Sequence, residues 1–495
     1  MKNMRLYILI CLGGVFGSAT ANNLTIGTPT VVGADLQFTI SWDNSWNTNL
    51  GPANWDAVWI FVKRQDCTTN LWAHGLASTN SGDHSVTGGV LQIDATTDGM
   101  GIYVRRSAIG NGSIATATVT LVLQTAANGV DNFQVLGIEM VSVPQGDFYI
   151  GDGTGGQNGW GFRTLLITSA LQTAGLGAAN VYQASSYGST SSLPAAYPIG
   201  WNNFYVMKYE IGQEQYASFL NSLTFTQQVA RTAVSPASAA GTLAIANSAT
   251  PQRNRIEIQT PGVANVTPAV YRNDLNNNGT YNENGDGQDI ACNWLAWADL
   301  MAYLDWAALR PMTEFEYEKT TRGAAAVVTG NEYPWGSVTI LQAESGALNN
   351  AGQSSEVSTT SGNGLCAYGI NTNTKGPLRC GFAAGAATTK AQAGSSYYGV
   401  MDMAGNVEEQ CVGGYNGNYS AFTTANGDGT LTAAGAANTT GWSVNGGGNG
   451  GGGIFRGGDW FNTAAYCQVS DRGFMTNNAN QGRNAAIGGR GVRSY

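Results

Sequence analysis

The chain has 495 residues, 68 of them Gly, with 11% charged residues and a formal net charge of −9. Soluble domains usually carry roughly 25% charged residues and about 7% Gly, so this chain is poor in charge and rich in Gly. Even so, 43% of it is hydrophobic, and 13 Trp and 21 Tyr supply a core that excludes wholesale disorder. Only 23 Lys and Arg stand against 32 Asp and Glu, which excludes a nucleic-acid binder built on phosphate neutralisation.

The first residues read as a targeting segment. Lys2 and Arg5 precede an apolar run from Leu6 to Phe16, and Ala19-Thr20-Ala21 is a small-residue cleavage signature. The spacing predicts a signal peptide over 1–21 and an exported mature chain. The run is too short to span a bilayer, and no later segment is long and apolar enough to serve as a transmembrane segment. Six Cys follow, at 67, 292, 366, 380, 411 and 467. An even count in an exported chain permits disulfides, and Cys366 with Cys380 is the pair closest in sequence that is expected to close.

Residues 22–132 read as an all-β module. Leu36, Phe38, Ile40 and Trp42 alternate with polar residues, the period of a half-buried strand. Val58–Val62 is a continuous apolar run, and Ile102–Val104 and Ala115–Leu123 add further strands. Turn residues separate them at the spacing of a β-sandwich. The only two histidines, His74 and His84, fall here. With no partner ligands nearby they read as solvated loop residues, and their number excludes a His-rich metal centre.

From 136 to 495 the pattern changes. Tyr216, Phe219, Leu220 and Leu223 form the stripe of an amphipathic helix within 210–223. Residues 298–308 are apolar nearly all round and predict a buried helix. Thr313 followed by Glu316 is a capping box, with Met312 and Tyr317 as its hydrophobic staple. Glu314, Glu316 and Glu318 alternate by two, so they do not share a helix face as an acid/base pair would. Long Gly-, Asn-, Thr- and Ser-rich stretches at 345–364 and 425–453 read as surface loops.

Between those loops stand seven motifs in order: Gly137–Gly146 with Phe148–Gly151, Phe204–Ile211 with Gln215-Tyr216, Arg310–Lys319 with Arg322-Gly323, Tyr333–Gly336, Gly399–Glu409, Phe455–Trp460 and Arg490–Arg493. Together they resemble the sulfatase-modifying-factor family, the formylglycine-generating enzyme group. The resemblance implies an α+β chain. An N-terminal β-sandwich would precede a loop-rich formylglycine-generating-enzyme-like domain related to C-type lectins.

The family's oxidases hold copper(I) between two cysteine thiolates five residues apart, which suits a soft ion. They convert a substrate cysteine to formylglycine. In this chain Cys467 matches the second ligand, but the first position is Asn462. A neutral amide is not a thiolate, so the resemblance implies that the copper site is lost. Asp459 replaces the family serine, and Glu408 and Gln410 stand where the oxidases place tryptophans. Cys411 is the one cysteine that the sequence offers as a replacement ligand. The ergothioneine-type relatives need a His-rich iron site, which two histidines in the N-terminal module do not supply.

The family's calcium turn matches at Asp402, Gly405, Val407 and Glu409: a side chain, two carbonyls and a glutamate, all hard oxygen donors. A second loop places oxygen side chains at Asp274, Asn276 and Asn278, then Gly279, as in the first half of an EF-hand. Its twelfth position is Gly285, so Glu283, Asp286 or Asp289 would have to complete it. Calcium loop and plain Asn-rich turn both remain open there.

Two readings follow. The first is an exported, non-catalytic binding or structural surface protein, calcium-stabilised, that meets protein or glycan or associates with itself. The second is a divergent copper-dependent oxidase acting on a sulfatase cysteine.

Overall fold

The computed structural model describes residues 23–154, 161–172, 193–246, 248–324, 327–343, 348–370, 375–385, 388–413, 421–442, 453–473 and 482–495. The expected signal peptide over 1–21 lies outside the described residues, as does most of the Gly run at 445–453.

An eight-stranded sheet organises the chain. Its path runs Arg310–Pro311, Gly491–Ser494, Phe204–Met207, Asn132–Val143, Asp56–Gln65, Ile102–Arg106 and Leu91–Ala95, with Trp72–Gly75 added on Asp56–Gln65. All these pairings are antiparallel. The boundary expected at 132–136 falls inside the strand Asn132–Val143, which pairs with Asp56–Gln65 over ten residues and with Phe204–Met207 over four. The N-terminal strands and the later motifs therefore share one sheet.

Both faces of that sheet are covered, which explains the unbroken apolar run at 58–62. Val58, Ile60 and Val62 point one way, into a cluster with Phe38, Ile40, Trp42, Val119 and Leu121 of a second, five-stranded sheet. Ala57, Trp59 and Phe61 point the other way, into the main core with Tyr205, Phe219 and Trp306. A strand buried on both sides loses the two-residue alternation. Strand Asp35–Asn47, half-buried, keeps it.

Three helices form where the periodicity placed them: α1, Gln213–Asn221; α3, Trp297–Trp306; and α4, Glu314–Arg322. A short α2, Phe225–Arg231, carries a Thr224–Gln227 capping box that the sequence reading passed over. Thr313 caps α4, accepting from the Glu316 N–H at 3.2 Å, while Glu316 accepts the Thr313 N–H at 3.0 Å. Met312 and Tyr317 share one apolar cluster, as a staple requires. Among the described residues no helix is long and apolar enough to cross a membrane.

The glutamates of α4 are structural. Glu316 pairs with Arg310 at 2.5 Å. Glu314 meets Arg472 at 2.7 Å, and Glu318 meets Arg456 at 2.7 Å and Arg322 at 2.8 Å. Glu332 completes the set through Arg322. All of these groups are buried, and four carboxylates balance four guanidiniums.

The histidines differ from the solvated-loop expectation. His84 is buried, accepting the Val122 N–H at 3.1 Å on Nδ1 and reaching the Ser78 carbonyl at 3.0 Å through Nε2. His74 lies in the strand Trp72–Gly75 and stacks on Phe61. Its Nε2 faces the Met100 carbonyl at 2.7 Å and its Nδ1 faces Lys63 Nζ at 3.1 Å. A carbonyl only accepts, so Nε2 carries the proton and Nδ1 accepts. Strand pairing with Asp56–Gln65 draws His74 inward, which local polarity does not reveal.

Two outcomes are expected. Arg456→Met leaves Glu318 and Glu314 undercompensated in the interior and lowers unfolding free energy by about 3–5 kcal/mol in chemical denaturation. Burial, then Lys63, pushes the His74 pKa from 6.5 down to about 3. Between those values the unfolded chain takes a proton that the folded chain refuses. Stability therefore falls as pH drops below about 6.5. His74→Gln flattens that slope by up to about 1.4 kcal/mol per pH unit, read from denaturation midpoints between pH 6 and 4.

Candidate functional site

The motifs of the larger part of the chain converge on the turn 402–407. Its backbone is a junction. The Gly405 N–H donates to the Gly457 carbonyl at 2.8 Å and the Asn406 N–H to Ala367 at 2.8 Å. The Trp460 N–H donates to the Asn406 carbonyl at 2.9 Å. Tyr317 of α4 reaches the Met403 carbonyl at 2.6 Å. Glu210 accepts the Val407 N–H at 3.0 Å and the Asn406 amide at 2.5 Å. Gly405 adopts φ +72, and a Cβ there would stand 2.3 Å from the Ala367 carbonyl and 2.6 Å from the Cys366 sulfur. Only glycine allows that approach.

On one side of the turn lies the sulfur site. Gly458, at φ +68, lets the short helix Ala464–Cys467 fold back; a Cβ would come within 2.9 Å of Tyr466. Cys467 is fully buried. Its sulfur does not face a residue five positions earlier. It faces Cys366, with Sγ–Sγ 3.9 Å, and Cys366 Sγ also lies 3.1 Å from the Ala404 carbonyl. Tyr333 and Ala404 surround the two sulfurs, with Trp335 and Tyr368 packed against them.

Asn462 is engaged elsewhere. Asp459 accepts its amide at 2.5 Å and its N–H at 2.9 Å, and also the Phe461 N–H at 2.6 Å. Glu408 is buried and Gln410 donates to the carbonyls of Leu295 and Gly488. Burial raises the Glu408 carboxyl well above its usual range, and Asp459 and Asp471 push the same way. Burial likewise raises the Cys366 thiol, with Cys467, Asp402 and Glu210 adding to it. The setting opposes a Cys366 thiolate.

Two cysteine expectations change. Cys366 and Cys380 do not pair: Cys380 Sγ turns to the Glu210 carbonyl at 3.5 Å. Cys411 does not approach Cys467 either; it lies in the strand Glu408–Val412 and packs with Val141 and Ile454. The six cysteines among the described residues are all free.

On the other side of the turn lies a carboxylate group. Asp402, Glu409 and Glu210 gather about Arg490, which bonds Glu409 at 2.5 Å and the carbonyls of Asp402, Met207 and Lys208. Asp402 also accepts the Gly381 N–H at 2.5 Å. Burial raises Asp402 and Glu210, and raises Glu409 to about 7 despite Arg490. Glu409 Oε2 is buried with no hydrogen-bond partner among the described residues. Three acids share one guanidinium, so carboxylates are in surplus beside this turn. Glu210 also borders a cavity of about 380 Å³ lined by Glu139, Glu214, Arg379 and Cys380. Neither Cys366 nor Cys467 lines it.

The second loop also closes on itself. Asp274 accepts the N–H groups of Asn278 and Gly279 at 3.0 and 2.9 Å. Glu283 accepts the amides of Asn276, at 3.1 Å, and Asn278. Thus the four residues meet, held by internal hydrogen bonds.

Cys366, Glu210 and Arg490 were missed as site residues by sequence reasoning. Cys366 stands 101 positions from Cys467, and no local spacing links them. Arg490 had one available signal: it opens the closing motif Arg490–Arg493.

Asp459 holds the 459–462 turn through three hydrogen bonds to a buried carboxylate. Asp459→Ala is expected to lower stability by about 3 kcal/mol, measured by chemical denaturation followed by circular dichroism.

The comparison with curated proteins gives no match. The family model for the sulfatase-modifying factor enzyme 1-like domain matches residues 129–495. That span covers every motif gathered at the 402–407 turn, and the chain belongs to the sulfatase-modifying factor family.

Proposed function

We propose that this chain is an exported, non-catalytic binding or structural member of its family, held rigid by calcium. The observation that carries the reading is at positions 462 and 467. Asn462 spends its amide on Asp459, and Cys467 is sealed at 0% exposure behind aromatic side chains. An oxidase acting on a peptide cysteine must bring that sulfur to its own reactive centre. A sulfur with no exposure offers a peptide cysteine no approach.

The scaffold suits presentation. The loops that separate the motifs are Gly-, Asn- and Thr-rich, and the low charge density favours packing against protein, glycan or another copy. The N-terminal β-sandwich reading fits the cluster between the five-stranded sheet and Asp56–Gln65. The lectin relation makes glycan contact a fold-level analogy.

Calcium is assigned to Asp402, Gly405, Val407 and Glu409. The orphaned Glu409 Oε2 and the surplus of carboxylates over Arg490 support it. There the ion would add neutralising charge and bind the turn to its neighbours. Asp274, Asn276, Asn278 and Glu283 form the weaker second candidate, since their oxygens already serve one another.

One observation favours the oxidase reading: Cys366 gives Cys467 a second sulfur at 3.9 Å. Copper(I) titration against a chelator of known affinity, with oxygen uptake on a cysteine-bearing sulfatase peptide, separates the two. No uptake is expected; copper-dependent turnover would overturn the non-catalytic reading.

For calcium, saturation at a hundredfold excess over Kd raises unfolding free energy by about 2.7 kcal/mol. In calorimetry Glu409→Gln loses that increment and Asp274→Ala keeps it. A melting curve indifferent to calcium removes the assignment.

A further inference from the structure

We propose that Cys366 and Cys467 are a covalent modification site, closing to a disulfide that ties the Leu365–Cys366 strand to the Ala464–Cys467 helix. The sulfurs are already in contact at 3.9 Å, against about 2.05 Å in a disulfide. Each backbone is fixed independently. The Cys366 carbonyl accepts the Ala343 N–H at 2.8 Å, and Cys467 ends a helical turn folded back over Gly458. Gly405 leaves the space that Cys366 Sγ fills.

The other cysteines have separate surroundings. Cys292 sits beside Asn254 and Asn293, Cys380 beside Glu210, and Cys411 among Val141 and Ile454. Cys67 is exposed. Among the six described cysteines, Cys366 and Cys467 are therefore the poised pair.

The chemistry balances with a small disulfide as oxidant. One thiolate attacks oxidised glutathione and releases one glutathione thiol. The second thiolate then displaces glutathione from the mixed disulfide. Two protons and two electrons leave the pair, and two glutathione thiols form. In the folded protein both sulfurs are buried and the Cys366 thiol is pushed up, so exchange is slow. Closure belongs to folding, while the 366 and 467 segments are still open to reagent. Once closed, the bond is shielded from reductants. It also consumes both sulfurs, so disulfide and copper(I) ligation exclude each other.

The test refolds the full, reduced chain from denaturant with oxidised glutathione, alkylates in denaturant and maps peptides by mass spectrometry. The expected product joins the Cys366 and Cys467 peptides with two hydrogens lost. Cys380→Ser and Cys411→Ser keep the link, and Cys366→Ser abolishes it. In the native reduced protein, both thiols alkylate more slowly than Cys67 by about tenfold or more. Free, alkylated Cys366 and Cys467 after oxidative refolding to native circular dichroism overturn the proposal. So does a link to another cysteine. One copper(I) per chain that protects the pair from glutathione also overturns it, and revives the oxidase reading. The wild-type map alone decides if the serine variant fails to fold.

Discussion

The buried pairing of Arg490 with Glu409 organises the larger part of the chain. Arg490 has no exposure, and its guanidinium satisfies one carboxylate and three backbone carbonyls from two separate segments. A charge in that position is costly to bury unless every donor is used. Using them fixes where the 402–409 turn stands against Phe204–Met207 and the C-terminal strand. Glu210, α4 and the Gly457-Gly458 segment then dock on the turn through its backbone groups. The second buried set, around Glu314 and Glu318, does the same for α4.

This arrangement explains how a chain so poor in charge holds loops so rich in glycine. Many of its charges lie inside, as ion pairs or as acceptors for backbone N–H groups, rather than on the surface. Loops of Gly, Asn and Thr contribute few apolar contacts, so their ends must be fixed by directional bonds. Asp305 is one example: it accepts the N–H groups of Asp428 and Asn438 and the Thr439 hydroxyl. Asp459 is another. Carboxylates that elsewhere invite a catalytic reading serve here as anchors for backbone.

The sulfur pair shows how function can be misplaced when a site is read along the chain only. Position 462 lacks a thiol, and the motif around it implies that Cys467 stands alone. Its partner comes instead from a strand a hundred residues earlier, through a gap made by Gly405. Whether that pair is a staple or a ligand set depends on burial and protonation, properties of the surroundings rather than of the two residues.

Much was legible in the order of residues. Helix periodicity placed α1, α3 and α4, because a buried stripe repeats every 3.6 residues, and Thr313-x-x-Glu316 marked its own cap. The seven motifs identified the family before any contact was known. Other features required the folded chain. Strand Asn132–Val143 carries no sign that it joins two halves into one sheet. His74 looks like a loop residue until Lys63 and the Met100 carbonyl enclose it. Local patterns encode local hydrogen bonds and faces. Partners such as Cys366 with Cys467, or Arg490 with Glu409, are chosen by chain closure over long separations, which sequence spacing does not record.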